Sequence, residues 1–156
     1  MSRAFTREDD SENVIADIGE RPVSSSRNLV TEQGLVHIEA QLANLREDLA
    51  KAEADADRER IATVSRDLRY WQARRENAEV SVPEPDTSVV RFGMKVSIED
   101  DDGKRHAWRI VGEDEANAAK GSISHVSPMA QAMFGKAVGE VATVNGRDWE
   151  IVEIQV

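Results

Sequence analysis

The segment RIVGEDEANAAKGSISHVSPMAQAMFGK, residues 109–136, is the most informative part of this chain. An apolar strand over 108–111 is predicted to end in a glycine and an acidic loop. A second short strand, 122–125, leads to Ser127 and Pro128, which suit the N-cap and the first position of a helix. The glycine of the following Phe-Gly-Lys is well placed to end that helix. Local rules therefore predict a small α+β module and no function.

Two hairpin signals extend this module on both sides. Strands over 95–99 and 104–111 flank an Asp-Asp-Gly turn, and strands over 141–144 and 147–156 flank Asn-Gly. An Asp-Gly or Asn-Gly pair between two strands favours a tight antiparallel connection. Residues 89–156 are therefore predicted to form an antiparallel β domain with one short helix.

The region before this domain has a helical pattern, with apolar positions spaced by three and four. The first run is Leu35, Ile38, Leu42, Leu45, Leu49 and Ala52, and the second is Ile61, Val64, Leu68, Trp71, Arg75 and Ala78. The phase slips between Glu53 and Arg60, so two helices are predicted to form an antiparallel coiled-coil hairpin over 29–80. Thr31 suits the N-cap, although Gly34 weakens the first turn. One long helix in a dimeric coiled coil is the alternative.

The segments that flank the hairpin are polar. Residues 1–28 are acidic and carry few large apolar side chains, so a disordered or loosely docked arm is expected. Pro83 and Pro85 prevent a helix from continuing through 81–88, which is expected to be a linker.

Composition excludes several classes of function. The net charge of −10 argues against binding to free DNA, which needs a basic surface. The chain has no cysteine, and its three histidines lack the spacing of metal ligands. No apolar run approaches the roughly 20 residues of a membrane-spanning helix. These features predict a soluble cytoplasmic protein with no membrane partner.

The amino-acid sequence of residues 109–136 resembles that of the C-terminal domain of the Gre family of bacterial transcription factors. There an IVG-[DE]-DEA loop precedes a Gly-x-Ile-Ser strand and a Ser-Pro-x-Ala-x-Ala-x-x-Gly-Lys helix. Phe92-Gly93 and Glu150-Ile151-Val152 match the same family. The resemblance implies an N-terminal antiparallel coiled coil and a C-terminal domain similar to FK506-binding proteins. This agrees with the α+β architecture predicted from the residues.

The resemblance also implies a function, that of an accessory factor for bacterial RNA polymerase with no active site of its own. In the family, the C-terminal domain docks on the rim of the polymerase secondary channel, which the coiled coil enters. The acidic tip helps to hold the second catalytic magnesium, and the polymerase cleaves backtracked RNA. No intrinsic cofactor is implied, since the Mg²⁺ is shared with the polymerase. The polymerase-binding residues carried over are His125, Val126, Ser127, Pro128 and Met129.

The tip decides whether the chain can support this cleavage. The family tip reads Gly-Asp-x-x-Glu-Asn-Ala-Glu-Tyr, whereas residues 53–60 read EADADRER. Asp55, Asp57 and Glu59 are either a weakened metal-presenting tip or solvated acids of a helix turn. The predicted arms are about 35 Å long, roughly 13 Å shorter than is typical of the family. Short-coil relatives, such as the regulator of nucleoside diphosphate kinase, are expected to bind polymerase without supporting cleavage.

Several alternatives remain open at this point. The second helix has a basic face at Arg66 and Arg69, which either pairs with the acidic first helix or contacts nascent RNA or an acidic protein groove. The chain is either a factor that assists cleavage or a non-cleaving regulator that competes with longer Gre factors. An FK506-binding-like isomerase or chaperone and a coiled-coil adaptor are the rival classes. The isomerase is disfavoured because the C-terminal domain carries few aromatic residues for a proline pocket.

Overall fold

The computed structural model of the chain describes residues 18–156. Residues 1–17 of the expected N-terminal arm lie outside the described part. The remainder divides into two compact units, which we call the helical unit and the β unit. The helical unit comprises 18–25 and 38–77, and the β unit comprises 26–37 and 78–156.

Two helices and the short turn between them form the predicted hairpin. Helix α1 spans Glu32–Ala54 and helix α2 spans Arg58–Glu76, with lengths of 23 and 19 residues. An ion pair of 3.2 Å between Arg75 Nε and Glu39 Oε1 joins the end of α2 to the beginning of α1, as an antiparallel arrangement requires. The buried apolar residues of the two helices are Ile38, Leu42, Ala52, Leu68 and Trp71. All five occupy predicted core positions, which confirms the hairpin.

One predicted core position at the end of α2 is wrong. The buried residue after Trp71 is Arg74, which is 1 % exposed, whereas Arg75 is exposed and pairs with Glu39. Positions three and four residues after Trp71 both lie near its face of the helix, so spacing alone did not separate them. The long apolar stem of an arginine can fill a buried position of this kind.

The outer ends of the hairpin differ from the predicted helical span. Residues Asn28–Val30 form strand β1 and residues Ala78–Val80 form strand β2, and these two strands pair in parallel. Helix α2 ends at Glu76, where Asn77 acts as the C-cap. Ser81 N–H then donates to the Val30 carbonyl at 3.0 Å, which continues the pairing into the expected linker.

A five-stranded sheet forms the centre of the β unit. Its strands are β3 (Lys95–Glu99), β4 (Arg105–Val111), β5 (Ser122–Ser124), β6 (Val141–Val144) and β7 (Arg147–Gln155). Their spatial order is β5-β4-β3-β7-β6, and both predicted hairpins are present. The sheet is mixed and not wholly antiparallel, because β5 pairs in parallel with β4. The acidic loop between β4 and β5 returns the chain to the same end of the sheet, which sequence patterning did not reveal.

A single apolar core holds the sheet against the short helix α3, which spans Pro128–Met133. The fully buried side chains include Val96, Ile98, Ile110, Met133 and Ile151. Each such side chain contributes about 1.5–3 kcal/mol through removal of apolar surface from water. This packing gives the start of α3 a rigid support.

Candidate docking surface and hairpin tip

The hairpin tip consists of residues 55–57, which connect α1 to α2. Asp57 is the N-cap of α2, and its Oδ1 accepts a hydrogen bond of 3.2 Å from Arg60 N–H. Asp55 lies 3.4 Å from the Arg60 guanidinium. Ala56 adopts a left-handed conformation with φ of 49°, which turns the chain without a glycine. Two of the three predicted tip carboxylates therefore have local structural partners.

The three predicted tip carboxylates are not gathered into a metal-binding group of their own in this part of the structure. Within residues 18–156, no group of three histidine, aspartate or glutamate side chains is arranged to hold a metal ion. The Glu59 carboxylate is exposed and lies beyond the N-cap, in the first turn of α2. Acidic residues near a helix N-terminus are stabilised by the helix dipole, which accounts for Asp57 and Glu59 without a metal.

The predicted docking segment is built around the start of α3. Ser127 is the N-cap, with its Oγ accepting from Ala130 N–H at 3.3 Å, and Pro128 occupies the first turn as predicted. The Gln131 side-chain amide donates to the His125 carbonyl at 2.7 Å. Ser124 Oγ accepts from Val126 N–H at 3.2 Å. These bonds fix the backbone of the whole segment.

Accessibility divides the five predicted contact residues. Val126 is 37 % exposed and Pro128 is also exposed, whereas Ser127 and Met129 are half-buried. His125 is only 6 % exposed and its ring packs edge-on against Phe92, with 5.6 Å between the ring centres. The side chains available to a partner are therefore those of Val126 and Pro128 above all.

The predicted basic face of α2 is paired with acidic groups in this structure. Arg69 forms a bidentate ion pair with Glu20, and Arg66 donates from Nε and Nη2 to Asp67 at 3.3 Å. The hydrogen bonds from Arg69 hold the pKa of Glu20 below its ordinary value. The face is thus engaged with the chain's own carboxylates.

Sequence reasoning missed the role of Glu115, in the acidic loop after β4. Its carboxylate accepts hydrogen bonds from Thr31 N–H and Gly112 N–H, both 3.0 Å, and from the Thr31 hydroxyl. Thr31 Oγ1 in turn accepts from Gly34 N–H at 3.0 Å, which confirms Thr31 as the N-cap of α1. A carboxylate at this helix N-terminus also faces the positive end of the helix dipole.

Two glycines make room for this carboxylate. A Cβ atom at Gly34 would collide with the carboxylate of Glu115, and one at Gly112 would lie 2.6 Å from the Leu29 carbonyl oxygen. Gly34 therefore serves close approach and not merely a weak helix start. The sequence signal was the coincidence of a first-turn glycine with a Gly-Glu-Asp-Glu loop, which becomes meaningful only when the two segments are known to meet.

The aromatic residues of the β unit contribute to its core. Phe92 and Trp149 are buried in the core, and Trp108 and Phe134 pack against it. All four therefore contribute to the folding of the β unit. None of the helices in the described part of the chain is long and apolar enough to cross a bilayer.

A helical hairpin with a mixed-sheet β unit and a Ser-Pro helix defines a two-part α+β protein. A family model described as the C-terminal domain of the transcription elongation factors GreA and GreB matches residues 84–156. Transcription elongation factor GreA of Alkalilimnicola ehrlichii is 37 % identical over 111 residues, which cover 67 % of this chain and 70 % of that protein. GreA of Ruegeria pomeroyi is 31 % identical over 149 residues, covering 81 % and 96 %.

A solved structure, that of GreA factor homolog 1 of Thermus thermophilus, is 21 % identical with a TM-score of 0.42 and covers 84 % of this chain and 100 % of that one. The family rests on the sequence relatives, whose similarity extends over most of their own length. The chain belongs to the GreA/GreB family of transcription elongation factors.

Proposed function

We propose that this protein binds bacterial RNA polymerase at its secondary channel through the segment at the start of α3, and regulates transcription without delivering a metal to the active site. It acts as an accessory factor in the bacterial cytoplasm, and any RNA cleavage belongs to the polymerase. The observation that carries the docking half is the rigid Ser127-Pro128 helix start, which presents Val126 and Pro128 to solvent.

The tip carries the second half of the proposal. Asp57 caps α2 and Asp55 pairs with Arg60, so both carboxylates already serve the hairpin turn. Arg58 and Arg60 also place positive charge beside them, which opposes recruitment of a cation. A regulator that competes with other Gre factors for the channel fits these features better than a metal-presenting factor.

Binding to purified core polymerase tests the docking half. The variant Val126→Glu places a charge on the proposed contact surface and leaves the buried core intact, so we expect affinity to fall at least tenfold, the equivalent of about 1.4 kcal/mol. Val82→Glu is the matched control, since Val82 is an exposed valine outside the docking segment. Its affinity is expected to equal that of the wild type.

The tip variant Asp55→Ala/Asp57→Ala separates docking from chemistry in the same assay. We expect it to bind polymerase within about twofold of wild type, because the α3 segment is untouched. Equal binding of Val126→Glu and wild type would refute this docking surface. Failure of every form to bind core polymerase would refute the proposed function as a whole.

A further inference from the structure

Residues 18–21, which we call the strap, lie along α2 within the helical unit. The Glu20 carboxylate accepts three hydrogen bonds from Arg69. Two come from Nε at 2.9 and 3.0 Å, and one comes from Nη2 at 2.6 Å. This forked arrangement is the one by which arginine binds carboxylates and phosphates.

The next residue of the strap makes a second contact with α2. The Arg21 guanidinium carbon lies 3.9 Å from the centre of the Tyr70 ring, and Arg21 Nη1 lies 3.4 Å from Asp67 Oδ1. The same oxygen of Asp67 accepts from Arg66. Glu20 of the strap and Asp67 therefore pair with the two arginines of the basic face that the sequence predicts on α2.

The strap is held by contacts that can open. The side chains of Glu20 and Arg69 are 63 % and 54 % exposed, and ion pairs in water are weak and screened by salt. Ordering of the strap also opposes docking through lost chain entropy. An open cavity of about 220 Å³ lies beside the strap and α2, lined in part by Ala62 and Ser65. A competing anion can therefore displace Glu20.

We propose that the strap is an intramolecular ligand that blocks the Arg66/Arg69 face until an acidic peptide segment of a partner displaces it. The chemistry of the partner follows from the strap itself, because a carboxylate already fills the fork of Arg69. A nucleic acid, whose phosphates an arginine fork also accepts, is the alternative occupant that a uridine decamer tests. That the partner is polymerase rests on the proposed function, whereas competition between strap and acidic peptide does not.

A labelled peptide of ten glutamates tests the competition with the full chain. We expect Glu20→Gln to bind this peptide about twofold to fivefold more tightly than wild type, the range set by one exposed ion pair. The gain should disappear in Glu20→Gln/Arg69→Gln and shrink with added salt. Glu84→Gln is the control, because it makes the same change in net charge at an exposed position of the linker.

Each alternative outcome is informative. Equal peptide affinities for Glu20→Gln and Glu84→Gln would overturn the strap, since the gain would then come from net charge alone. A uridine decamer that gains affinity in Glu20→Gln while the peptide does not would overturn the assignment of an acidic peptide. The affinities of the same variants for core polymerase are then measured and ranked. The expected peptide ranking with no polymerase binding by any variant would support the strap and overturn the proposed function.

Discussion

The start of α3 and the tip of the hairpin are both short, exposed turns that cap a helix, yet they differ in what supports them. The start of α3 packs against a buried apolar core, and side-chain hydrogen bonds hold its backbone. The tip consists of three residues held by backbone hydrogen bonds to the last turn of α1, by one N-cap and by one exposed ion pair. A rigid surface suits recognition of a partner, whereas a metal needs carboxylates that are free and convergent. We therefore propose that polymerase docking and metal chemistry are separable properties in this fold.

The largest expected contrast is in stability. Ile98→Ala removes a fully buried side chain from the middle of the sheet, and we expect the free energy of unfolding of the β unit to fall by about 3–4 kcal/mol. Ile61→Ala near the tip removes a half-buried side chain and should cost about 1 kcal/mol. Urea denaturation monitored by circular dichroism measures both. Similar losses at the two sites would show that the tip is as firmly packed as the core.

The contact between Gly34 and Glu115 predicts that the effect of Gly34→Ala on the free energy of unfolding changes sign when Glu115 is removed. Gly34→Ala forces a Cβ against the Glu115 carboxylate and should lower stability by about 1–3 kcal/mol. In a Glu115→Ala background the same substitution should raise stability by up to about 1 kcal/mol, because alanine favours a helix over glycine. A double-mutant cycle in urea measures the coupling. Additive effects would mean that Glu115 does not restrict position 34.

The tip itself should respond modestly to loss of its cap. Asp57→Ala leaves the N-cap position of α2 without its acceptor, so we expect a loss of about 1 kcal/mol in hairpin stability. Asp55→Ala is the matched change and should stay within about 0.5 kcal/mol, because its partner is an exposed arginine. Thermal melting of both variants gives the comparison. A larger loss of stability in Asp55→Ala than in Asp57→Ala would show that Asp55, and not Asp57, is the carboxylate that supports the hairpin turn.

The smallest effect is a dependence on pH. Arg69 lowers the pKa of Glu20 chiefly through their hydrogen bonds, with a further charge effect from Arg66. A carboxylate with a lowered pKa stabilises the docked strap above its ordinary pKa, and this contribution is lost as the pH falls through the lowered value. Carbon-13 NMR of the Glu20 carboxyl group should show its midpoint moving upward in Arg69→Gln. An unchanged midpoint would place Arg69 away from Glu20 in solution.

Much of the fold could be predicted from the sequence because the deciding features are local. The phase slip between the two apolar runs located the hairpin turn, and Asp-Gly and Asn-Gly located both β-hairpins. The parallel pairs β1–β2 and β4–β5 could not be predicted, since they join segments whose meeting depends on the whole fold. Burial of His125 was hidden for the same reason, because the adjacent Ser-Pro motif gives no sign of depth.

Some residues of the candidate site could be predicted from the sequence, and others could not. Ser127 and Pro128 carry a position-specific signal for a helix start, and the structure places them there. The hydrogen bonds between Glu115 and Thr31 join two segments that are far apart in the chain, so no local pattern reveals them. Whether the tip carboxylates bind a metal or cap a helix depends on the groups that contact them. The sequence of the tip shows which residues are acidic but not which groups they contact.

Transcript cleavage by a stalled, backtracked polymerase distinguishes a docking regulator from a factor that presents a metal. We expect that this protein does not shorten the RNA in the presence of magnesium, and that it suppresses cleavage stimulated by a GreA factor in proportion to its concentration. Val126→Glu should lose this suppression, whereas Asp55→Ala/Asp57→Ala should retain it. Magnesium-dependent shortening of the RNA by the wild-type protein, abolished in Asp55→Ala/Asp57→Ala, would contradict the separation of docking from chemistry.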